Sequence, residues 1–141
     1  MATTSVTIQT IQAHGKAVAN AHPITVSAEA LADVPMGKKF ARQGDLYFAK
    51  IAQVPNEALP WPHIHGQLAP GHTQGSRHCV NLQQVRLWLL PKPTALDGPI
   101  IEAPEGVTIT HPEHGDHIYP RGICQVTFQR AYADELRRVT D

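Results

Sequence analysis

Seven of the nine histidines in this 141-residue sequence fall in two short stretches, and they are the residues that could do chemistry. One stretch, THPEHGDHIYPRGICQVTFQRAY from Thr110 to Tyr132, holds His111, His114 and His117 beside Asp116. The other is proline-rich and holds His63 and His65 in PWPHIHG, then His72 and His78 in APGHTQGSRH. Imidazole and carboxylate are the ligands that Zn, Fe, Ni and Mn accept. A metal needs three or four ligands from at least two segments, and these two stretches supply them. On an extended strand His111 and His117 would share a face with His114 opposite. Pro112 and Gly115 favour a turn instead, which gathers the imidazoles on one centre. The predicted metal ligands are His78, His111, His114, His117 and His72. The predicted pocket lining is His63, His65, Trp61, Asp116 and Arg121. Against this stands a metal-free reading, in which the histidines form a hydrogen-bonded polar pocket, cap backbone groups in turns or sit in solvent. Their spacing matches no specific signature such as His-Glu-x-x-His. His14 and His22 lie in a weakly patterned N-terminal region and are read as incidental.

Other chemistries find less support. Cys79 follows His78, so on a strand the two side chains point to opposite faces. Cys79 and Cys124 are both read as core, since nothing marks a low-pKa thiol beside a base. There is no phosphate-cradling glycine loop, no serine nucleophile elbow and no paired-carboxylate signal. Lys and Arg together number 12 and so do Asp and Glu, so no long-range attraction to phosphate is predicted and no nucleic-acid partner. Acidification would add up to nine positive charges. Two cysteines are too few for a disulfide framework. No basic segment leads into an apolar core at the N-terminus, and no apolar run approaches a membrane span. The expectation is a cytoplasmic protein with reduced thiols.

The elements that must position these residues are mostly strands. Twelve prolines and ten glycines favour turns over a helical bundle. Residues 1–23 read as an N-terminal arm or edge strand, and 24–141 as a single β domain. Ser27 is a plausible N-cap for two helical turns over 28–34, stopped before Pro35. Residues 40–54 read as strands around a Gly44-Asp45 turn, with Leu46 and Phe48 inward. The long segment 55–77 has the irregular composition of a functional loop. Residues 78–90 alternate but change phase near Gln83-Gln84, as two short strands around a turn would. Trp88 lies in an apolar run and reads as core, while Trp61 suits either a pocket mouth or a packed-down loop. Leu96 to Pro99 is a turn, and 100–103 and 107–110 are strands around Pro104-Glu105-Gly106. Residues 123–132 close the sheet, with Cys124, Val126 and Phe128 in one phase. A last helical turn is placed at 133–139. The fold class is therefore all-β, a small barrel or jelly-roll-like sandwich with one or two short helices.

Two resemblances bear on this. At GDHIYPRG the chain is similar to the cupin family, whose jelly-roll strands carry a Gly-Asp-x-x-x-Pro-x-Gly turn. Gly115, Asp116, Pro120 and Gly122 match it. The cupin pattern then expects a histidine where this chain has Gln125, and a glutamate that His63-Ile64-His65 lacks, so no cupin metal ligand carries over. Over residues 42–132 the chain resembles a group of small uncharacterised bacterial and phage-associated proteins. Those run from an Arg-x-Gly-Asp strand through a His-x-x-His turn and a Pro-x-Gly turn to a Gln-Arg-x-Tyr strand. Here the corresponding positions are Gln43 to Asp45, His72, His78, His111, His114, Pro120, Gly122, Gln129, Arg130 and Tyr132. That resemblance implies no activity.

Three functions fit these observations. The first is a histidine-lined β-barrel binding a small molecule or a divalent metal, with catalysis by metal-activated water open to it. The second is a non-enzymatic interaction or assembly subunit, with structural or surface histidines and a protein partner that includes copies of itself. The third is a metal-free enzyme using histidine as general base.

Overall fold

Leu46, Phe48, Val126 and Phe128 take every second position of two strands, and that period builds the main sheet. The structure is a computed structural model and describes residues 23–31, 41–69, 77–113 and 115–129. Residues 1–22, the 133–139 turn, His14, His22, His72 and His114 lie outside the described residues. β3 (Leu46–Ile51) pairs antiparallel with β9 (Gly122–Phe128), so that Leu46 faces Phe128 and Phe48 faces Val126. β2 (Ala41–Gln43) joins β3 through Gly44-Asp45, with Gln43 opposite Leu46. Gly44 has φ +60°, the left-handed conformation that a two-residue hairpin loop favours and that only glycine takes freely.

On the other flank of β9 lies β6 (Asp97–Ala103), then β5 (Arg86–Leu89), then the edge strand β4 (Leu59–Pro60). The six strands run β2-β3-β9-β6-β5-β4. A smaller sheet runs β1-β8-β7, with β1 (Ile24–Thr25) parallel to β8 (His117–Tyr119) and β8 antiparallel to β7 (Val107–Ile109). Inward residues of both sheets meet in one apolar cluster that includes Leu46, Phe48, Leu87, Ile101, Val107, Ile109, Tyr119 and Val126. The Phe48 and Tyr119 rings meet across the sheets at 4.7 Å. Two packed sheets with open edges make this all-β fold sandwich-like, without a closed barrel.

Several expectations need correction. No helix occurs among the described residues, and so none long and apolar enough to cross a membrane. The described part of the 28–34 helix is a turn, capped as Ser27 predicts: Ala30 N–H donates to the Ser27 carbonyl and hydroxyl. Leu31 plugs into the core from that turn. β6 begins at Asp97, inside the expected turn, because a bulge between Asp97 and Ile100 absorbs Gly98-Pro99 into the strand. β4 lies unannounced in the proline-rich loop, and β8 in what reads as a turn. Trp88 is half-buried on the outer face and not in the core, since its indole N–H reaches Glu102 Oε1 at 3.0 Å. Cys79 is half-buried rather than core, whereas Cys124 is buried; both thiols are free.

Candidate functional site

The two histidine stretches divide between two places. One is inside the protein. His78 is 0% exposed and His111 2%, and their rings meet at 4.4 Å with a 48° tilt. Backbone pairing brings them together: Cys79 and Thr110 exchange N–H···O bonds of 3.0 Å each way, which aligns the residues beside them. The expected meeting of the 63–78 and 111–117 segments therefore occurs through this pair.

One ring nitrogen of each histidine is bonded to backbone. His78 Nε2 lies 2.9 Å from the Gln43 carbonyl oxygen. A carbonyl only accepts, so Nε2 carries the proton and the lone pair is on Nδ1. At His111 the sense is reversed. Glu113 N–H donates to His111 Nδ1 at 3.0 Å, so that nitrogen is bare and the proton of the neutral ring is on Nε2. Two converging lone pairs, the minimum for a shared metal, are not what these tautomers present.

Gln43 is the hub that sequence missed. It is 1% exposed, and its side-chain N–H₂ donates to the Ile109 carbonyl at 3.1 Å and the Gly115 carbonyl at 2.8 Å. Its own carbonyl holds His78. One residue thus fastens the β2–β3 hairpin to the far sheet and to the histidine pair. The hairpin register carried the signal: Gln43 pairs with inward-facing Leu46, so it must also face inward. Gln43 Oε1 and the Tyr119 hydroxyl are buried and have no hydrogen-bond partner among the described residues. Burial, reinforced by nearby Cys124, pushes the Tyr119 phenol far above its usual range. His117 is buried on β8, its ring 6.2 Å from that of Tyr119.

The second place is on the surface. After β4 the chain carries Trp61, His63 and His65, and Trp61 meets the edges of both imidazoles at 4.8 and 6.1 Å. The imidazoles stack on each other at 4.9 Å, 10° from parallel. The chain bends at Ile64 and His65, and the two rings come together on one side of that bend. Trp61 indole N–H donates to the His65 carbonyl at 2.9 Å, and Gln67 N–H to His65 Nδ1 at 3.2 Å. Trp61 also packs against the core, as the packed-down-loop reading of it expects. Between the rings Ile64 is 99% exposed, and Leu59 on β4 is 50% exposed. Gly66 closes the loop against Val80: Val80 N–H donates to its carbonyl at 2.8 Å, and a Cβ there would run into the Val80 carbonyl oxygen.

The remaining predicted residues join neither place. Asp116 is exposed, and its carbonyl receives Ile24 N–H at 2.9 Å. Arg121 lines a crevice of about 30 Å³ with Lys50, Leu31 and Cys124, room for little more than a water molecule. Burial pushes the Cys124 thiol up to about 11, against the opposing pull of Lys50. Cys79 is raised likewise by burial, opposed by Arg77. Neither is an activated nucleophile. Among the described residues no three His, Cys, Asp or Glu side chains gather as a metal would require.

The β2–β3 hairpin is bonded to the end of β9. Arg42 stacks over the Tyr47 ring at 5.5 Å and donates to Gln129 Oε1 at 3.0 Å, while Gln129 N–H donates to the Asp45 carbonyl at 2.8 Å. These two segments are clasped. No curated protein and no solved structure matches the chain. One family model matches it, over residues 42–129, from one end of that clasp to the other. The chain belongs to that family, a domain of unknown function (DUF8820).

Proposed function

We propose that this domain is a non-catalytic assembly subunit that docks on a second copy of itself through the loop after β4. Ile64 carries the proposal: a 99% exposed aliphatic side chain at the tip of a loop held by its own hydrogen bonds. A fixed apolar side chain loses little freedom on docking, so its burial translates into affinity more fully than that of a floppy one. A two-fold contact sets a patch against itself, so like charges would oppose. From Ala58 to Ala69 there is no Asp, Glu, Lys or Arg, and that opposition is absent. The buried histidines serve as internal fasteners in this reading.

The test is mass against concentration by light scattering at pH 7.5, up to about 1 mM, where even weak dimers form. The mass should rise toward the dimer, and Ile64→Asp should hold it at the monomer without moving the unfolding midpoint. A wild-type mass that stays monomeric throughout removes the proposal.

A second reading draws on the His78–His111 contact. His78 Nε2–H rests on a backbone carbonyl, as in histidines that ligate metal through the other nitrogen. A divalent Zn, Fe, Ni or Mn bound there would have to take His111 away from Glu113 N–H. Elemental analysis of tag-free protein decides it: near-stoichiometric metal that disappears in His78→Ala and His111→Ala supports this reading, and metal-free protein ends it.

A further inference from the structure

The exposed ring stack carries its own response to acid. Histidine changes charge between about pH 5 and 8. His63 and His65 stack at 4.9 Å, so two imidazolium charges there would sit face to face. His65 Nδ1 is bare and accepts Gln67 N–H. A proton on that nitrogen turns an acceptor into a donor and opposes the bond. Trp61 is tied to the same residue through the His65 carbonyl. A displacement of His65 that carries its main chain along therefore weakens the indole bond as well.

Among the described residues, the segments bonded to the loop offer little to neutralise the new charge. The loop itself has no carboxylate between Ala58 and Ala69, with Glu57 just before it. β5 receives Trp61 N–H at the Leu87 carbonyl and presents Arg86. The 77–80 segment, bonded to Gly66 and Leu68, presents Arg77, His78 and Cys79. On β6, Glu102 is held by the Trp88 indole. Arg77 and Arg86 are permanent cations, and Glu102 is engaged by that indole. We infer that His63 and His65 form an acid-operated latch: their protonation opens the stack, loosens the Trp61 indole bond and disturbs the surface that Ile64 presents. The consequence for assembly rests on the docking reading above. Across a two-fold contact four imidazolium groups would face one another and drive the copies apart.

The latch is tested on the full-length protein by NMR between pH 7.5 and 5, through the Trp61 indole N–H signal (assigned with Trp61→Phe) and the exchange rate of the Gln67 amide. Acid should shift the indole signal in one step and raise Gln67 exchange at least tenfold over its intrinsic pH dependence. His65→Asn keeps an acceptor for Gln67 N–H that does not titrate, and should abolish both responses while the protein stays folded. An indole signal and a Gln67 amide that ignore pH, or a full response in His65→Asn, overturn the latch. Light scattering over the same range separates the two ideas. An NMR response without self-association at any pH leaves the latch standing and removes the assembly reading, and association that persists at pH 5 removes the link between them.

Discussion

Gln43→Leu is the substitution that most directly tests how the two sheets are joined. Leucine keeps the volume, so the packing change is small and the polar change dominates. Two donor bonds disappear, a buried one to the Ile109 carbonyl and a part-buried one to the Gly115 carbonyl. Each is worth roughly 0.5–1.5 kcal/mol net, and each carbonyl left dry adds a desolvation penalty of about 1–3 kcal/mol. Against this, the substitution removes Gln43 Oε1, a buried oxygen that has no hydrogen-bond partner among the described residues. That relief offsets about one of the two penalties. The expected net loss is about 3 kcal/mol, a large share of the roughly 5–15 kcal/mol that keeps a domain folded.

Urea unfolding followed by circular dichroism measures it. With a slope of about 1–3 kcal/mol per molar urea, the midpoint should fall by about 1–3 M with the slope unchanged. Gln129→Ala is the control: it removes an exposed hydrogen bond to Arg42 and should cost less than about 1 kcal/mol. Gln43→Glu sharpens the test, because it aims carboxylate oxygens at two carbonyls in a buried site and should lose more than the leucine variant. A Gln43→Leu loss no larger than that of Gln129→Ala, or a Glu variant as stable as the Leu variant, refutes the polar fastening.

Gly66→Ala should destabilise by about 1–3 kcal/mol, since its Cβ meets backbone at Val80 that cannot step aside; the urea midpoint reads this. Phe48→Ala should lose about 3–5 kcal/mol, because Phe48 is fully buried and links the sheets through Tyr119. The Cys124 thiol ionises at about 11 in the folded chain against its ordinary 9.0, so the unfolded chain loses its proton first as pH rises. Its contribution is fully present below about pH 9 and is lost toward pH 11, about 1.4 kcal/mol per pH decade. Cys124→Ala should flatten the wild-type decline in that window, with unfolding measured at pH 8, 9, 10 and 11.

Period and turn chemistry made much of the sheet legible, because each acts over a few residues. The alternation of Leu46, Phe48, Val126 and Phe128, the Gly44-Asp45 turn and the phase change before β5 all rest on such local rules. β8 was hidden because three residues flanked by Gly115 and Pro120 are too few to show a period, and its place is set by β1 and β7, which arrive from elsewhere. β4 was hidden for the same reason: two residues, one of them proline, are a strand only because β5 pairs with them. Gln43 was legible in principle from its partner Leu46, but its purpose depends on carbonyls 66 and 72 residues away. Trp88 misled because an apolar run does not say which sheet face is covered.

The histidines show why residue type alone pointed in two directions. His65 and His111 make the same local turn, each taking on its Nδ1 the backbone N–H two residues ahead, from Gln67 and Glu113. That bond makes imidazole a turn-former of the kind asparagine and aspartate supply, and it withdraws the nitrogen from metal chemistry. What separates the two is burial. At His111, 2% exposed, a second proton would have to enter a buried site and break the bond from Glu113 N–H. At His65 the ring is exposed, so the proton is available from solvent and the lost bond can be remade to water. One sequence device therefore acts as a fixed fastener inside the sandwich and as a titratable one on its surface, and only the tertiary fold decides which.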